Sequence, residues 1–329
     1  DQTPEELLQG DEWAWHDLPS AWGGDPLRLP PGAITVWSWN GKRAAWGTNT
    51  QADLTVALEG STAPDRIPVP IGDPSAWLSA VTFLGAHVVP AGEDRREYLE
   101  LVTGSMLDAV APHVGAVDVF CETGAFDEAA TRRVLESANA AGLATHVHGN
   151  QLGAGPGARL AVEYGSLSVD HLGFLGDDDI DALAASWTGG ARGTVATVLP
   201  ACDLSTRMPP APARRLLDAG AVLAIASNCN PGSSYTSSMA FCVATAVLQL
   251  GLSVQEAVRA ATLGGAIALG MHEDGWTSPQ GVPHPPVGAI APGACADLQL
   301  LDAPSVTHLA YRPGMPLTAA VWRGGARVA

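Results

Sequence analysis

Ala221-Val222-Leu223-Ala224-Ile225-Ala226-Ser227-Asn228-Cys229-Asn230-Pro231-Gly232-Ser233-Ser234 reads as a buried strand running straight into a tight polar loop. The first six residues are apolar, a length that suits a strand and is short for a helix. Asn, Pro, Gly and Ser then crowd the following positions, which is the composition of a turn. An unbroken apolar run, without polar alternation, marks a strand covered on both faces, as in a parallel sheet. Loops at the carboxyl ends of such strands are where α/β proteins keep their chemistry.

The same texture recurs upstream. Strand-like apolar runs fall at 81–84, 116–120, 144–148, 168–171, 194–199 and 222–226, and amphipathic runs fall between them at 95–111, 127–141, 157–164, 178–186 and 211–219. Strands alternating with helices predict βα units and a mostly parallel sheet, hence an α/β class fold. A further helix is expected over 253–269, opened by Ser253 with Glu256 three residues on, the pattern of a capping box. Before this region, Ile34-Thr35-Val36-Trp37-Ser38-Trp39 reads as a strand, and Asn40-Gly41 predicts a hairpin into Ala44-Ala45-Trp46. Residues 1–32 are irregular and rich in tryptophan, and residues 287–329 return to short strands and turns.

Composition narrows the possible partners. The net charge is −17 and Lys42 is the sole lysine, so the chain repels phosphate backbones, and neither nucleic acid nor a membrane surface is expected as a partner. No apolar run reaches the 18 residues of a membrane span. The amino end is acidic and polar, unlike a signal peptide. The five cysteines are scattered and never in C-x-x-C spacing, which reads as free thiols in a reducing cytoplasm.

Several motifs, in order, resemble imidazolonepropionases of the amidohydrolase superfamily. They are Thr82-Phe83-Leu84-Gly85-Ala86-His87, Val117-Asp118-Val119-Phe120-Cys121-Glu122 with Gly124-Ala125-Phe126, His148-Gly149-Asn150-Gln151, Ser168-Val169-Asp170-His171-Leu172, the Asn-Pro-Gly-Ser-Ser loop at 230–234, and Ala296-Asp297-Leu298. The resemblance covers about residues 33–60 and 81–329. It implies a TIM-barrel-like amidohydrolase fold with a small β-sandwich from both chain ends. The division implied is 1–60 for an N-terminal arm and part of the sandwich, 61–280 for the barrel, and 281–329 for the rest of the sandwich. It also implies hydrolysis of a ring C–N bond in a small cyclic amide or imidazole-like substrate, as imidazolone-5-propionate is opened to formimino-glutamate, with a single zinc or iron ion activating water.

The chain departs from that pattern in four places. The family's His-x-His metal pair has no counterpart between Leu58 and Trp77, and its "SGYGL" strand is absent, so the barrel is expected to be incomplete by about two βα units. An open sheet leaves unpaired edges, and a homo-oligomer is one way to cover them. The loop Asp that binds metal in the family is Asn228 here, a neutral amide and a poorer ligand. Glycine stands at position 173, where the family commonly carries a proton-handling glutamate.

The candidate residues follow. The resemblance makes His171 a metal ligand and His148 a substrate contact, and Asn228 holds the position of the missing Asp ligand. His146 lies two residues before His148, so both face one side of a strand. His146, His148 and His171 could then form a relocated three-histidine metal site, or a hydrogen-bonded pair without metal. Glu122 ends a strand and is a candidate general acid or base beside His148 and His171. Asn230, Gly232 and Ser233 match the substrate loop, although turn formation explains Gly232 equally well. His87 is read as supporting rather than catalytic. Three outcomes stay open: metal-assisted hydrolysis, metal-free acid–base chemistry such as cyclisation, elimination or isomerisation, and ligand binding without chemistry.

Overall fold

The computed structural model describes residues 80–190, 192–230, 232–277 and 281–328, together with four backbone strands between residues 36 and 67. Those four are β1 (Val36–Trp39), β2 (Arg43–Gly47), β3 (Leu54–Leu58) and β4 (Asp65–Ile67), hydrogen-bonded in chain order as one sheet. β1 and β2 are neighbours, as the hairpin reading required. β2–β3 and β3–β4 run antiparallel. The tryptophan-rich stretch 1–32 and the turn Asn40-Gly41 lie outside the described residues. Residues 78–329 belong to a second compact unit, which carries the chemistry.

In that unit the six apolar runs become β5 (Thr82–Ala86), β6 (Ala116–Cys121), β7 (Ala144–Gly149), β8 (Ser168–His171), β9 (Val195–Val198) and β10 (Leu223–Ile225). They pair in the order β10-β9-β8-β7-β6-β5, with every neighbour parallel. Consecutive strands lying side by side with helical crossovers is the winding of a (β/α) barrel. Among the described residues the sheet does not close: β5 and β10 stay at its edges.

The register explains the two faces. Val119, Val147, Val169 and Ala196 are successive partners across four strands, and all are completely buried. They form the layer that meets the helices, each valine contributing about 1.5–3 kcal/mol on burial. Helices α1 (Arg95–Thr103), α2 (Ser105–Val110), α3 (Glu128–Ala140), α4 (Gly157–Glu163), α5 (Asp177–Ala185), α6 (Pro200–Thr206) and α7 (Ala213–Ala219) follow the strands. Leu135, Leu160, Leu183 and Leu216 are the buried apolar contacts that α3, α4, α5 and α7 bring. Residues one step along each strand point the other way. On that inner face lie Asp118, His146, His148, Ser168, Asp170 and Thr197, a polar lining inside an apolar shell.

Two helices before residue 250 escape sequence periodicity. α6 starts at Pro200, a proline tolerated at the first helical position. α8 (Met239–Gln249) is apolar nearly all round and shows no stripe to detect. The helix expected over 95–111 breaks at Gly104, whose backbone (φ −122°, ψ −112°) is non-helical. The helix expected over 253–269 begins as read: Ser253 Oγ accepts from the Glu256 amide (3.3 Å) while Glu256 Oε2 accepts from the Ser253 amide (2.8 Å). It runs as α9 (Val254–Arg259), one wide π turn (Ala260–Gly264) and α10 (Gly265–Ala268). Beyond it lie α11 (His308–Tyr311), the pair β11 (Trp276–Thr277) and β12 (Pro283–His284), and an antiparallel sheet of β13 (Leu298–Leu301), β14 (Thr318–Arg323) and β15 (Ala326–Arg327).

The π turn lets Gly264 lie against β10. A methyl group at Gly264 would fall 2.1 Å from the Leu223 carbonyl oxygen, whereas one at Gly265 meets nothing within 4 Å. Gly264→Ala is therefore expected to cost about 1–3 kcal/mol or more by overpacking. Gly265→Ala, in ordinary helical backbone, should be neutral or stabilising by up to about 1 kcal/mol. Thermal unfolding of the two variants side by side checks the pair.

Candidate functional site

At the carboxyl ends of β5 to β8 the inner face gathers three histidines and two carboxylates. His148 sits at the centre. Its Nδ1 is 3.0 Å from Asp118 Oδ1 and 3.9 Å from Asp170 Oδ2. The His87 ring lies edge-on to it at 4.9 Å, and the His171 ring is tilted at 5.1 Å. His87 also stacks on Phe120. One ligand atom each from His87, Asp118 and His148 falls within 4.8 Å of the others.

His171 reaches this cluster against the strand's own alternation. Asp170 faces inward, so the next residue should face the helices. His171 and Leu172 instead take positive φ values of 81° and 68°, and this turns the imidazole back toward His148. Such backbone is costly for residues with a Cβ and clusters at functional sites. Asn150 (φ 55°) and Asn228 (φ 48°) repeat the feature just after β7 and β10.

Charge is concentrated on one pair. Burial pulls the His148 imidazole down, but the Asp118 carboxylate beside it and Asp170 beyond outweigh this and raise its pKa to about 9. Burial pushes the Asp118 carboxyl up, and the charge and hydrogen bond of His148 more than reverse that, to about 2. Burial lowers His87 to about 4 and, with help from the nearby His148 charge, His171 to about 2. Burial raises the Asp170 carboxyl. Two neutral histidines thus flank one ion pair. His148 Nδ1 is committed to Asp118, which leaves Nε2 as its free nitrogen.

The donor set suits a divalent metal. Imidazole nitrogens with a carboxylate oxygen are the ligands of zinc and related ions. His171 Nδ1 and Thr197 Oγ1, both on this face, are buried with no hydrogen-bond partner, which native interiors rarely tolerate unless something fills the site. The residues present therefore fit a metal ion.

The structure sorts the residues read from the sequence. His148 and His171 come together. His146 does not join them: its Nδ1 is 2.8 Å from Ser168 Oγ, and it lines a cavity of about 250 Å³ at the amino ends of β5 to β7 with Thr82, Leu167 and Met271. The grouping at ligand distance is thus His87, Asp118 and His148, in place of His146, His148 and His171. Glu122 is buried, and its Oε1 accepts from the amides of Gln151 (2.6 Å) and Leu152 (3.2 Å), anchoring the loop after β7. Asn228 donates to Cys202 Sγ at 3.3 Å. Asn230 Oδ1 accepts from the Gly232 and Ser233 amides, 2.8 Å each, so the loop folds on itself as a turn. Burial raises the Cys229 thiol, opposite to an activated nucleophile.

The sequence assigns no role to Asp118 or Asp170 and reads His87 only as supporting. The usable signal is alternation: counting by twos from His148 and pairing strands in register brings Asp118, Ser168 and Asp170 to the same face. At position 173 a Cβ would lie 2.8 Å from the Pro209 carbonyl oxygen, so no side chain fits there without backbone movement.

No protein-family model matches the chain. The fold is that of the amidohydrolase barrels: an adenosine deaminase from Xanthomonas campestris with bound zinc superposes with a TM-score of 0.58 at 22% identity, covering 77% of this chain and 61% of that one. A 5-methylcytosine deaminase from Klebsiella pneumoniae gives 0.57 at 14% identity, covering 76% and 62%. Among curated proteins, the imidazolonepropionase of Arthrobacter sp. (strain FB24) is 58% identical over 286 residues, 84% of this chain and 68% of the relative. Those of Paenarthrobacter aurescens and Saccharopolyspora erythraea are 60% and 62% identical, over 77% and 85% of this chain. The chain belongs to the imidazolonepropionase family, and it spans about two thirds of the length of these relatives.

Next to Cys202 on α6, Asp203 is a further buried carboxyl, with Oδ2 unpartnered and a pKa raised by burial from 3.8 to about 7. Between these two values the folded chain holds a proton that the unfolded chain has lost, so stability falls as pH rises from about 4 through 7. Asp203→Asn removes that titration. The Tm difference between pH 5 and pH 8 should shrink by on the order of 5 °C, and an unchanged difference would refute the assignment.

Proposed function

We propose that this chain is a hydrolase of the imidazolonepropionase type that opens the ring amide of imidazolone-5-propionate. The observation that carries the reading is the cluster of His87, Asp118, His148, Asp170 and His171 at the carboxyl ends of the barrel strands, with Asp118 and His171 buried and the other three half-buried. Family membership supplies the substrate class. The five cysteines are free thiols, which suits a reducing, cytoplasmic setting. Among the described residues no helix is long and apolar enough to cross a membrane.

His87, Asp118 and His148 would hold a single zinc or iron ion. When bound, such an ion supplies Lewis acidity to the ring carbonyl and lowers the pKa of water. The remaining work falls to the chain. Asp118 also sets the position of the His148 ring, 3.0 Å from its Nδ1. Asp170, a carboxyl that burial makes more basic, accepts the proton of the attacking water and returns it to the departing ring nitrogen. This is the task that Gly173 cannot perform. His171, neutral and unpartnered at Nδ1, donates to the developing oxyanion. Asn230 shapes the loop that bounds the substrate.

The reading is tested by incubating the purified chain with imidazolone-5-propionate and following formimino-glutamate, alongside elemental analysis. About one zinc or iron per chain and ring opening are expected. His148→Ala should lose the metal and reduce kcat by about 10²-fold or more. Asp170→Asn should still bind metal, about tenfold more weakly, and lose a similar factor in kcat. Turnover by a chain free of metal would instead favour acid–base chemistry by the Asp118–His148 pair.

A further inference from the structure

Behind the cluster a hydrogen-bonded chain crosses from β7 to β8. His146 pairs with Ser168 in register, and His148 pairs with Asp170 two residues further along the same strands. The lower pair supports the upper. Ser168 Oγ donates to Asp170 Oδ1 at 2.8 Å and stands 2.8 Å from His146 Nδ1. A hydroxyl has one proton, and here the carboxylate takes it. Ser168 Oγ must therefore accept from His146, which places a proton on His146 Nδ1. With Oδ1 held in this way, Asp170 presents Oδ2 toward His148, 3.9 Å away. Ser168 and His146 are both buried.

We infer that Ser168 is a positioning residue: its hydroxyl, aimed by His146, locks the Asp170 carboxylate into the rotamer that faces His148. Ser168 touches neither the free nitrogen of His148 nor the open side of the site, so it acts only through Asp170. A side chain with two rotatable bonds in a polar pocket would otherwise sample other wells. Groups that orient the partners of a metal-binding histidine typically carry a 10–100-fold effect on activity or metal affinity. The inference rests on the reading of Asp170 as the proton carrier.

The test compares Ser168→Ala with Ser168→Thr, which keeps a hydroxyl at the same carbon. Steady-state kinetics with imidazolone-5-propionate are measured together with zinc affinity by competition against a chelating dye. The expected result is a 10–100-fold fall in kcat for S168A with KM within about twofold, zinc affinity weakened about tenfold, and recovery of both in S168T. A shift of tenfold in either quantity that threonine rescues supports the role. S168A matching the parent chain in both overturns it, even if its Tm falls, because a merely structural serine would move only Tm. If the parent chain itself does not open the ring, the functional reading fails, and zinc affinity alone then decides the role of Ser168.

Discussion

In-register parallel pairing of β6, β7 and β8 is the constraint on which the site depends. Phe120 meets His148, His148 meets Asp170, and Asp118 lies two residues below Phe120. Because side chains alternate faces, one register fixes both layers: Val119, Val147 and Val169 toward the helices, and the polar residues inward. A slip of one residue would bury the charges against the helices and turn the valines into the polar interior. The apolar layer therefore specifies the chemistry as firmly as it stabilises the fold.

That inner layer is electrostatically expensive, and the structure shows how the expense is contained. Two carboxylates and three histidines share one half-buried space. Only His148 and Asp118 carry the strong ion pair, and burial keeps His87 and His171 neutral. The backbone contributes as well. Positive φ at His171 and Leu172 brings a second imidazole to the cluster that strand geometry alone would have turned away. Strain at this point is consistent with a position held for function rather than for stability.

Much of the architecture is legible in the sequence. The six apolar runs, the parallel order and the Ser253–Glu256 cap follow from local pattern, because strand burial and capping are short-range properties. α8 is not legible, since a helix apolar all round has no stripe, nor is α6, since Pro200 reads as a stop. In the site, His148 and His171 announce themselves by residue type. Asp118, Asp170 and His87 do not, because their role exists only across strands that are 20 to 60 residues apart in the chain. Glu122 is read from its place at a strand end, whereas its partners, two backbone amides, are exposed by no sequence pattern. Asn230, Gly232 and Ser233 are joined by bonds within their own turn, which the composition of that loop already allowed.

The close approach of Gly173 to the Pro209 carbonyl has an evolutionary consequence. A substitution at 173 cannot place a carboxylate there without backbone movement, because the Pro209 carbonyl occupies the volume its Cβ would need. The two stretches are mutually entrenched: position 173 accepts a side chain only after the 209 segment shifts, so change at either one is coupled to the other.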